Sequence, residues 1–410
     1  MFPWRRVLLI LAGLILTGAL VVYLAATVFP SVGAQSVDSL RAVIGDKAVA
    51  QLETWIFQVQ DNIQQVKFSL GIEKAASPWQ MTSPTPALAA GSTVPATLIP
   101  TSEPTATPIP QTTAAATATA APAMTPTPAP WRPAVAHALG SLEGEGIWQS
   151  YIKDPNGRTV AYRTFIQPDP KRPYTVVAVV AFDLSKIKLG FVLGFDEPSI
   201  KGGPKGNGLI PPADAQPGTL LATFNGAFKA QHGNFGAMAQ GVVALPLKKG
   251  LATIAIYQDG IVKIGEYGKD IGPIENAVAW RQNCSLIIEN GQINPLVNNN
   301  SPEFWGANLN GETVTWRSGV GISADGKTLY YFAGPNMMIS VLASAMQAVG
   351  VKSSMQLDIN NYWVHFVAIR DQSGKNSAEP LFPDAMKADI GRYLTKYMRD
   401  FFYVALKEGN

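Results

Sequence analysis

The chain has 410 residues, of which 47% are hydrophobic and 15% charged, and its formal net charge is +3. This small charge, without a cluster of lysine and arginine residues, argues against a nucleic-acid-binding surface. Cys284 is the only cysteine, which excludes an internal disulfide and a multi-cysteine zinc or iron–sulfur site. The three histidines, His137, His232 and His365, are too few for a histidine-rich metal site.

An apolar run over residues 7–29 follows Arg5 and Arg6. A membrane-spanning helix needs about 20 apolar residues, whereas the apolar core of a cleavable signal peptide has roughly 7–15. The run therefore predicts a transmembrane anchor over residues 1–30 and is too long for a usual signal peptide. Because the arginines precede the run, the positive-inside rule predicts a cytoplasmic N-terminus and an extracytoplasmic C-terminal domain at the cell membrane.

Residues 36–72 are predicted to form an amphipathic helix next to the membrane. Apolar residues such as Leu52, Ile56, Val59 and Ile63 recur at three- and four-residue spacing, which places them on one face of a helix. Two interpretations of this face stay open. The helix self-associates or lies on the membrane surface, or it packs on the domain that follows.

Residues 75–131 are dominated by Pro, Thr, Ala and Ser, and Glu103 is the only charged residue among them. Such a segment cannot bury enough apolar surface to offset the entropy lost on ordering, so it is predicted to be a disordered linker. In an extended, polyproline-like form it would reach on the order of 100 Å, at about 3.1 Å per residue. Its expected role is to hold the following domain away from the membrane.

Residues 132–410 have the composition of a globular α+β domain with a mixed or antiparallel sheet and packed helices. Strands are predicted over residues 174–183, 187–193 and 354–357. Asx-Gly pairs between apolar runs predict hairpins at Asp259-Gly260, Asn290-Gly291 and Asp325-Gly326. Helices are predicted over residues 339–349 and 384–397.

Three segments of this domain, in this order, resemble the phosphodiester glycosidase family. Residues 223–228 (TFNGAF) are similar to the family's Asn-Gly-Gly-Phe-Phe segment at the end of a strand. Residues 317–322 (RSGVGI), followed by Asp325-Gly326, are similar to its Arg-Thr-Ala-Ile-Gly strand and turn. The predicted helix over 339–349 and residues 355–358 (MQLD) resemble the helix and Asn-Leu-Asp that precede its glycine-rich loop. The resemblance extends over residues 174–366, and its weight lies in the order and spacing of the segments.

The resemblance implies hydrolysis of glycosyl phosphodiester bonds, specifically sugar-1-phosphodiesters, in envelope or exopolysaccharide glycans. A phosphate monoester leaves readily, so the enzyme must mainly hold the phosphate and stabilise a developing oxocarbenium ion. Arginine suits the first task, and a carboxylate suits the second or activates a water. The matching positions make Arg317 and Asp358 the catalytic candidates, and His365 is the candidate for proton transfer.

Substrate-binding candidates lie in the same segments, and they are Asn225, Gly226, His232, Asn360, Tyr362 and Trp363. Amide and imidazole groups suit hydroxyl or phosphate oxygens, and aromatic rings suit the apolar face of a sugar. Each candidate also has a structural alternative: a turn, an ordinary loop position, core packing, an ion pair for Arg317 or a turn cap for Asp358. No cofactor and no metal ligand are predicted, although oxygen ligands near Asp358 and Asn360 leave a divalent cation such as calcium open.

The chain departs from the family pattern directly after Asp358. Ile359, Asn360, Asn361, Tyr362 and Trp363 stand where the family has glycines and a serine, and Ala227 replaces its second Asn-Gly-Gly glycine. A glycine-rich loop lets the backbone approach a ligand closely and donate N–H groups. This difference motivates an alternative function, a non-catalytic module that binds glycans or phosphoglycans on a membrane-anchored stalk. A purely structural spacer is a third hypothesis.

Overall fold

The structure is a computed structural model that describes residues 44–80, 130–272, 274–298, 305 and 312–407. The predicted anchor over residues 1–30 and the linker residues 81–129 lie outside these ranges. No helix within the described ranges is both long and apolar enough to cross a membrane.

The described chain contains 18 strands and two α-helices. Helix α1 spans Asp46–Ser69 and helix α2 spans Ile339–Ala348. The first nine strands are β1 (Gln149–Lys153), β2 (Thr159–Ile166), β3 (Val177–Asp183), β4 (Ile187–Val192), β5 (Leu220–Asn225), β6 (Ala237–Ala239), β7 (Val242–Leu245), β8 (Ala252–Tyr257) and β9 (Val262–Glu266). The others are β10 (Ala277–Asn283), β11 (Leu286–Glu289), β12 (Gln292–Ile293), β13 (Thr315–Ile322), β14 (Thr328–Met337), β15 (Ser353–Ile359), β16 (Phe366–Asp371), β17 (Asn376–Pro380) and β18 (Phe401–Leu406).

These strands form three sheets. The first has eight strands in the order β1-β2-β3-β14-β13-β15-β11-β12. The second has five strands in the order β7-β6-β10-β8-β9, and the third has five in the order β17-β16-β5-β18-β4. Neighbouring strands such as β13 and β15, or β5 and β18, run antiparallel.

The hydrophobic core lies between the first and the third sheet. Phe224 and Phe402 of the third sheet stack with ring centroids 5.3 Å apart, and Phe224 lies 4.9 Å from Tyr331 of the first sheet. All seven residues of β3 are buried, which accounts for the apolar run over its first six, residues 177–182. Helix α2 packs on the first sheet, where a Cβ at Gly319 would lie 2.5 Å from the terminal methyl of Met346. Glycine therefore permits the close approach of helix and strand.

The predicted α+β class with packed helices is wrong, because the described chain is predominantly β. Residues 384–397 form turns and a short 3-10 helix, Arg392–Leu394, instead of the predicted α-helix. Asp389 has a φ of +47°, which an α-helix cannot contain. The buried residues Met386 and Tyr393 therefore reflect tertiary packing and not a helical repeat.

The hairpin predictions are confirmed. The pairs β8–β9, β11–β12 and β13–β14 enclose the three Asx-Gly sequences, and glycines 260, 291 and 326 have φ values of +82°, +78° and +69°. Only glycine adopts this conformation without a steric cost, which explains why the signal was reliable. Helix α2 is also confirmed, and Gly350 follows it with a φ of +73°.

Helix α1 packs on the β domain. The carboxylate of Asp61 accepts hydrogen bonds from Nε and Nη2 of Arg172 at 2.8 and 2.6 Å, and the ring of Phe68 lies 5.3 Å from that of Tyr174. Beyond the helix, Trp79 is buried, with the guanidinium carbon of Arg163 4.3 Å from its ring centre. The sequence left two interpretations of this helix open, and the one in which it packs on the domain is observed for one of its faces.

Candidate functional site

The candidate site forms where strands of the first and third sheets end side by side. In the third sheet, Asn225 at the end of β5 pairs with Phe401 at the start of β18. The main-chain N–H of Gly226 donates to the carbonyl of Asp400 at 3.1 Å. From the first sheet, Asp358 at the end of β15 reaches this junction through Ser318, whose hydroxyl donates to the carbonyl of Asp358 at 3.1 Å and accepts from Asn225 at 2.9 Å. Antiparallel pairing brings the end of β5 to the start of β18, and the hydrogen bonds of Ser318 join the end of β15 to them.

Asp358 forms a buried ion pair with Arg399. Nη2 of Arg399 lies 2.7 Å from Oδ2 of Asp358, and the same nitrogen donates to the carbonyl of Ala227 at 2.8 Å. Oδ1 of Asp358 accepts the N–H of Ile359 at 2.8 Å. Both side chains are almost inaccessible to solvent, so the pair interacts in a medium of low dielectric constant.

Burial raises the pKa of Asp358 to about 6, although the charge of Arg399 opposes this shift. Burial by itself would lower the pKa of Arg399, but the carboxylates of Asp358 and Asp400 outweigh it and raise that pKa above its ordinary value. The arginine is therefore charged at every physiological pH. Asp358, in contrast, titrates close to neutrality, which is typical of a carboxylate that exchanges protons during a reaction.

A second buried ion pair supports the first. Oδ2 of Asp400 accepts a hydrogen bond from Nε of Arg281 at 2.8 Å and another from the N–H of Ala227 at 3.1 Å. Arg281 also donates to the carbonyls of Phe228 and Phe235, which holds the segment after β5 in place. Oδ1 of Asp400 and Nε of Arg399 are buried without a hydrogen-bond partner.

Trp363 borders the ion pair and is partly exposed. The guanidinium carbon of Arg399 lies 4.3 Å from its ring centre, and the ammonium nitrogen of Lys229 lies 5.2 Å from the same ring. Glu197 is adjacent, because its Oε2 accepts the N–H of Ala230 at 3.0 Å and its charge acts on Arg399. Two carboxylates, two cations and an indole ring thus occupy one small region.

Asn225 and Gly226 hold the backbone of this junction. The amide oxygen of Asn225 accepts hydrogen bonds from the Tyr331 hydroxyl at 2.9 Å and the His365 N–H at 3.1 Å. Its amide nitrogen donates to Ser318 and to the carbonyl of Gly226, both at 2.9 Å. A Cβ at Gly226 would lie 2.2 Å from Oδ2 of Asp400, so only glycine fits there.

His365 lies beneath the loop that carries Trp363. Its ring is buried, neither ring nitrogen has a hydrogen-bond partner, and it meets the ring of Tyr393 edge-on at 5.5 Å. Burial, aided by the charge of Arg392, lowers the pKa of His365 well below its ordinary value. The imidazole borders a cavity of about 30 Å³, which Asn361, Tyr362 and Arg392 also line.

Arg317 lies in a different network from Asp358. Its guanidinium donates to the carbonyls of Met337 and Thr313 at 3.0 and 2.9 Å and to Oε1 of Gln356 at 2.7 Å. The side chain is completely buried, and burial lowers its pKa to about 10. The arginine that contacts Asp358 is therefore Arg399, which follows it by 41 residues.

The remaining candidates are spread around the junction. The Tyr362 hydroxyl donates to Asp389 at 2.6 Å, and this ring is buried beneath Arg392. Asn360 has a φ of +83° and accepts the N–H of Tyr362 on its own side chain at 3.0 Å. Asparagine thus takes over a conformation that glycine usually adopts. His232 lies in a short 3-10 helix, with its ring 6.2 Å from that of Phe228.

Sequence reasoning missed Arg399, Asp400, Arg281 and Lys229. One signal was present, because Arg399-Asp400 is an adjacent pair of charges directly before the apolar strand Phe401–Leu406. Charges at the edge of a buried strand have to be paired, which marks them as candidates. In the part of the chain that the structure describes, no cluster of three or more His, Cys, Asp or Glu side chains could hold a metal ion.

In a comparison with known protein families, residues 219–358 match the phosphodiester glycosidase family. The resemblance predicted from the sequence is thus confirmed for a region that contains Asn225, Arg317 and Asp358. Among solved structures, the fold is similar to the catalytic domain of zebrafish N-acetylglucosamine-1-phosphodiester alpha-N-acetylglucosaminidase, auto-inhibited by its pro-peptide, at 14% identity and a TM-score of 0.40 over 64% of this chain and 87% of that chain. A hypothetical protein from Synechocystis is similar at 10% identity and a TM-score of 0.32, over 66% of this chain and 68% of that one. No curated protein matches the chain significantly.

Proposed function

We propose that this protein hydrolyses glycosyl phosphodiesters at the site formed by Asp358, Arg399, Trp363 and Lys229. The observation that carries the proposal is the buried Asp358–Arg399 ion pair at the end of the region that matches the phosphodiester glycosidase family. A carboxylate that titrates near neutrality beside the guanidinium of Arg399 is suited to a reaction that needs both a base and an anion-binding group.

In the proposed reaction, the bond between the anomeric carbon and the bridging phosphate oxygen breaks, and the phosphate monoester leaves with the bonding electrons. Water supplies the new oxygen on the anomeric carbon and loses one proton. In its ionised form Asp358 accepts that proton or stabilises the positive charge that develops on the sugar ring. Its pKa of about 6 leaves it mostly ionised at neutral pH and still basic enough to accept a proton.

The two cations have the complementary role of binding the phosphate. Arg399 and Lys229 both lie close to the ring of Trp363, at 4.3 and 5.2 Å from its centre. Nε of Arg399 is buried and has no hydrogen-bond partner in the protein, which leaves one donor of this guanidinium unused. Arg399 therefore replaces Arg317 as the proposed phosphate ligand, and Trp363 contributes an apolar surface for the sugar.

We also propose that the domain works outside the cell membrane on envelope or exopolysaccharide glycans, with the N-terminus in the cytoplasm. The apolar run over residues 7–29 and the two preceding arginines support this location. The linker composition of residues 81–129 supports a domain held at a distance from the membrane.

A second candidate function is a non-catalytic module that binds glycans or phosphoglycans. One observation favours it: the backbone N–H groups after Asp358 serve the protein itself. The N–H of Ile359 donates to Asp358 and that of Asn360 donates to the carbonyl of Trp316 at 3.0 Å. These groups are therefore not directed at a ligand, as they would be in a glycine-rich loop.

Turnover of a sugar-1-phosphodiester distinguishes the hydrolase from the binding module. The full chain, purified in detergent, is incubated with a panel of sugar-1-phosphodiesters, and the released sugar is measured for the wild type, Asp358→Asn and Asp214→Asn. Asp214 is a matched control, because it is also buried and paired, with Lys188 and Tyr403, at another place on the third sheet. Turnover that is lost only in Asp358→Asn supports the hydrolase. Absence of turnover with retained binding, measured by calorimetry, supports the binding module instead.

A further inference from the structure

Helix α1 has two faces with different roles. Asp61 and Phe68, one helical repeat of seven residues apart, hold the helix against the domain through Arg172 and Tyr174. On the other side of the helix Ile63, Val66 and Leu70 are 38%, 55% and 68% exposed. Large apolar side chains at these exposures indicate a surface that another molecule covers.

The exposed side chains belong to a heptad repeat. If Ile56 is assigned to position a, all a and d positions from Val49 to Leu70 are apolar, and they are Val49, Leu52, Ile56, Val59, Ile63, Val66 and Leu70. Asp61 and Phe68 then occupy position f, which lies opposite the a/d stripe. In the C-terminal part of the helix the domain therefore contacts position f and leaves the a/d stripe accessible, whereas the earlier a positions Val49 and Ile56 are buried.

We propose that a second copy of this chain covers the stripe, so that two α1 helices form a short parallel coiled coil over residues 59–70. Val49 and Ile56 are buried within the chain, which limits the open stripe to Val59, Ile63, Val66 and Leu70. An apolar stripe with the 3.5-residue repeat is complementary to itself, because each a or d side chain of one helix packs into a gap between those of the facing helix. Docking on the domain has already ordered the helix, so association does not have to include the cost of forming it.

The length of chain before the helix supports the parallel arrangement and rests on the membrane anchoring proposed above. The predicted anchor ends at residue 30, and α1 begins at Asp46. Two copies anchored in one membrane therefore begin their helices at the same height and in the same direction. Tethering to a shared surface also raises the effective concentration of the two helices.

Charge distinguishes a second copy from a lipid surface as the occupant. Helices that lie on membranes carry Lys and Arg on the polar face, next to the apolar one. The e and g positions beside the open part of this stripe are Gln60, Asn62, Lys67 and Ser69, so Lys67 is the single charged group among them. In a parallel coiled coil, Asn62 at position g faces Lys67 at position e of the other copy, so no like charges meet.

Two substitutions at Asn62 test the proposal, because a second copy of the chain and a lipid surface predict opposite effects of a negative and a positive charge at this position. In the full chain in detergent, Asn62→Glu creates an attraction to Lys67 of the second copy and Asn62→Lys creates a repulsion. We expect Asn62→Glu to strengthen dimerisation and Asn62→Lys to weaken it, with about a tenfold difference in the dissociation constant between the two. The measurement is sedimentation equilibrium. A lipid-covered helix would instead show stronger binding of Asn62→Lys to vesicles that contain anionic phosphatidylserine, and no change in oligomeric state.

Cysteine cross-linking provides a second measurement. The native Cys284 is buried, so it does not interfere. Under mild oxidation Val66→Cys, at position d, is expected to form a disulfide-linked dimer, while Gln58→Cys, at the outward position c, stays monomeric. Equal cross-linking of the two variants, or a monomeric wild type with no cross-linked Val66→Cys, would overturn the proposal.

Discussion

The carboxylate of Asp358 lies 2.7 Å from the guanidinium of Arg399, and both side chains are buried where β15 of the first sheet meets the start of β18 in the third. Two charges removed from water are tolerated only when each satisfies the other, so the pair fixes the relative position of the two sheets. It also places an ionisable carboxylate beside Trp363, the partly exposed ring of the site.

Breaking this ion pair is expected to destabilise the fold strongly. Arg399→Met leaves the Asp358 carboxylate buried without its partner, which should lower the free energy of unfolding by about 3–5 kcal/mol. The double variant Asp358→Leu/Arg399→Met removes both charges and should be less destabilised than the sum of the two single variants. Urea denaturation of the four proteins measures the coupling. Additive effects would show that the two residues do not interact.

The proposed activity should depend on the ionisation of Asp358. Because burial raises the pKa of this carboxyl to about 6, kcat/KM should fall about tenfold per pH unit as the pH drops below that value. A pH–rate profile between pH 4 and 8 with a sugar-1-phosphodiester measures the midpoint. A constant rate across pH 5–7 would exclude Asp358 as the essential base.

The same pKa has an effect on stability. Between the ordinary pKa of an aspartate, about 3.9, and about 6, the folded protein binds more protons at Asp358 than the unfolded chain does. This group therefore makes the free energy of unfolding decrease as the pH rises through that interval. Asp358→Asn should remove its contribution to the slope, as measured by denaturation at several pH values, whereas Asp214→Asn should leave it in place.

Gly226→Ala should disrupt the junction between β5 and β18. The new Cβ would lie 2.2 Å from Oδ2 of Asp400, the atom that also pairs with Arg281, so the carboxylate has to move. We expect a loss of roughly 2–4 kcal/mol in stability together with loss of activity. Gly272→Ala is the control, because a Cβ there meets no atom within 4 Å. Equal stability of the two variants in thermal denaturation would contradict the proposed steric constraint.

Arg317→Lys should affect folding more than binding. A lysine cannot reach the carbonyls of Met337 and Thr313 and the amide of Gln356 at the same time, so buried acceptors lose their donors at a cost of about 2–3 kcal/mol. The Kd of the folded variant for a glycosyl phosphate should change less than twofold, whereas Arg399→Lys should weaken binding about tenfold or more. Calorimetry with both variants decides which arginine binds phosphate, and the reverse order would restore Arg317 to that role.

His365 should make the protein less stable at acidic pH. Because burial lowers its pKa in the folded state, the unfolded chain takes up a proton first, and stability is lost as the pH falls below about 6.5. The contribution is roughly 1.4 kcal/mol per pH unit over this range. His365→Phe should reduce the loss, and His137→Phe, at an exposed position, should not. Unfolding curves at pH 5 and 7 measure the difference.

The sequence predicted those elements correctly whose structure depends on residues that are close together in the chain. Asx-Gly pairs determine hairpins because only a few residues tolerate a positive φ, and helix α2 was recognised because its apolar spacing and its final glycine agree. The helix predicted over residues 384–397 was wrong because the side chains of this segment contact other parts of the chain. The ring of Tyr393 stacks on that of Phe401, and Arg392 donates a hydrogen bond to the carbonyl of Tyr362.

For the site, the sequence by itself indicated Asp358, Asn225 and Gly226 as candidates, since the short motifs that carry the family resemblance keep their order along the chain. Only the tertiary structure decided which arginine meets Asp358. Arg317 is close to Asp358 in the paired strands but its side chain lies among main-chain carbonyls, while Arg399, 41 residues away, reaches the carboxylate from another sheet. The physical reason is that ion pairing acts through space and in low dielectric, so its partners depend on which strands the sheets bring together and not on their distance in sequence.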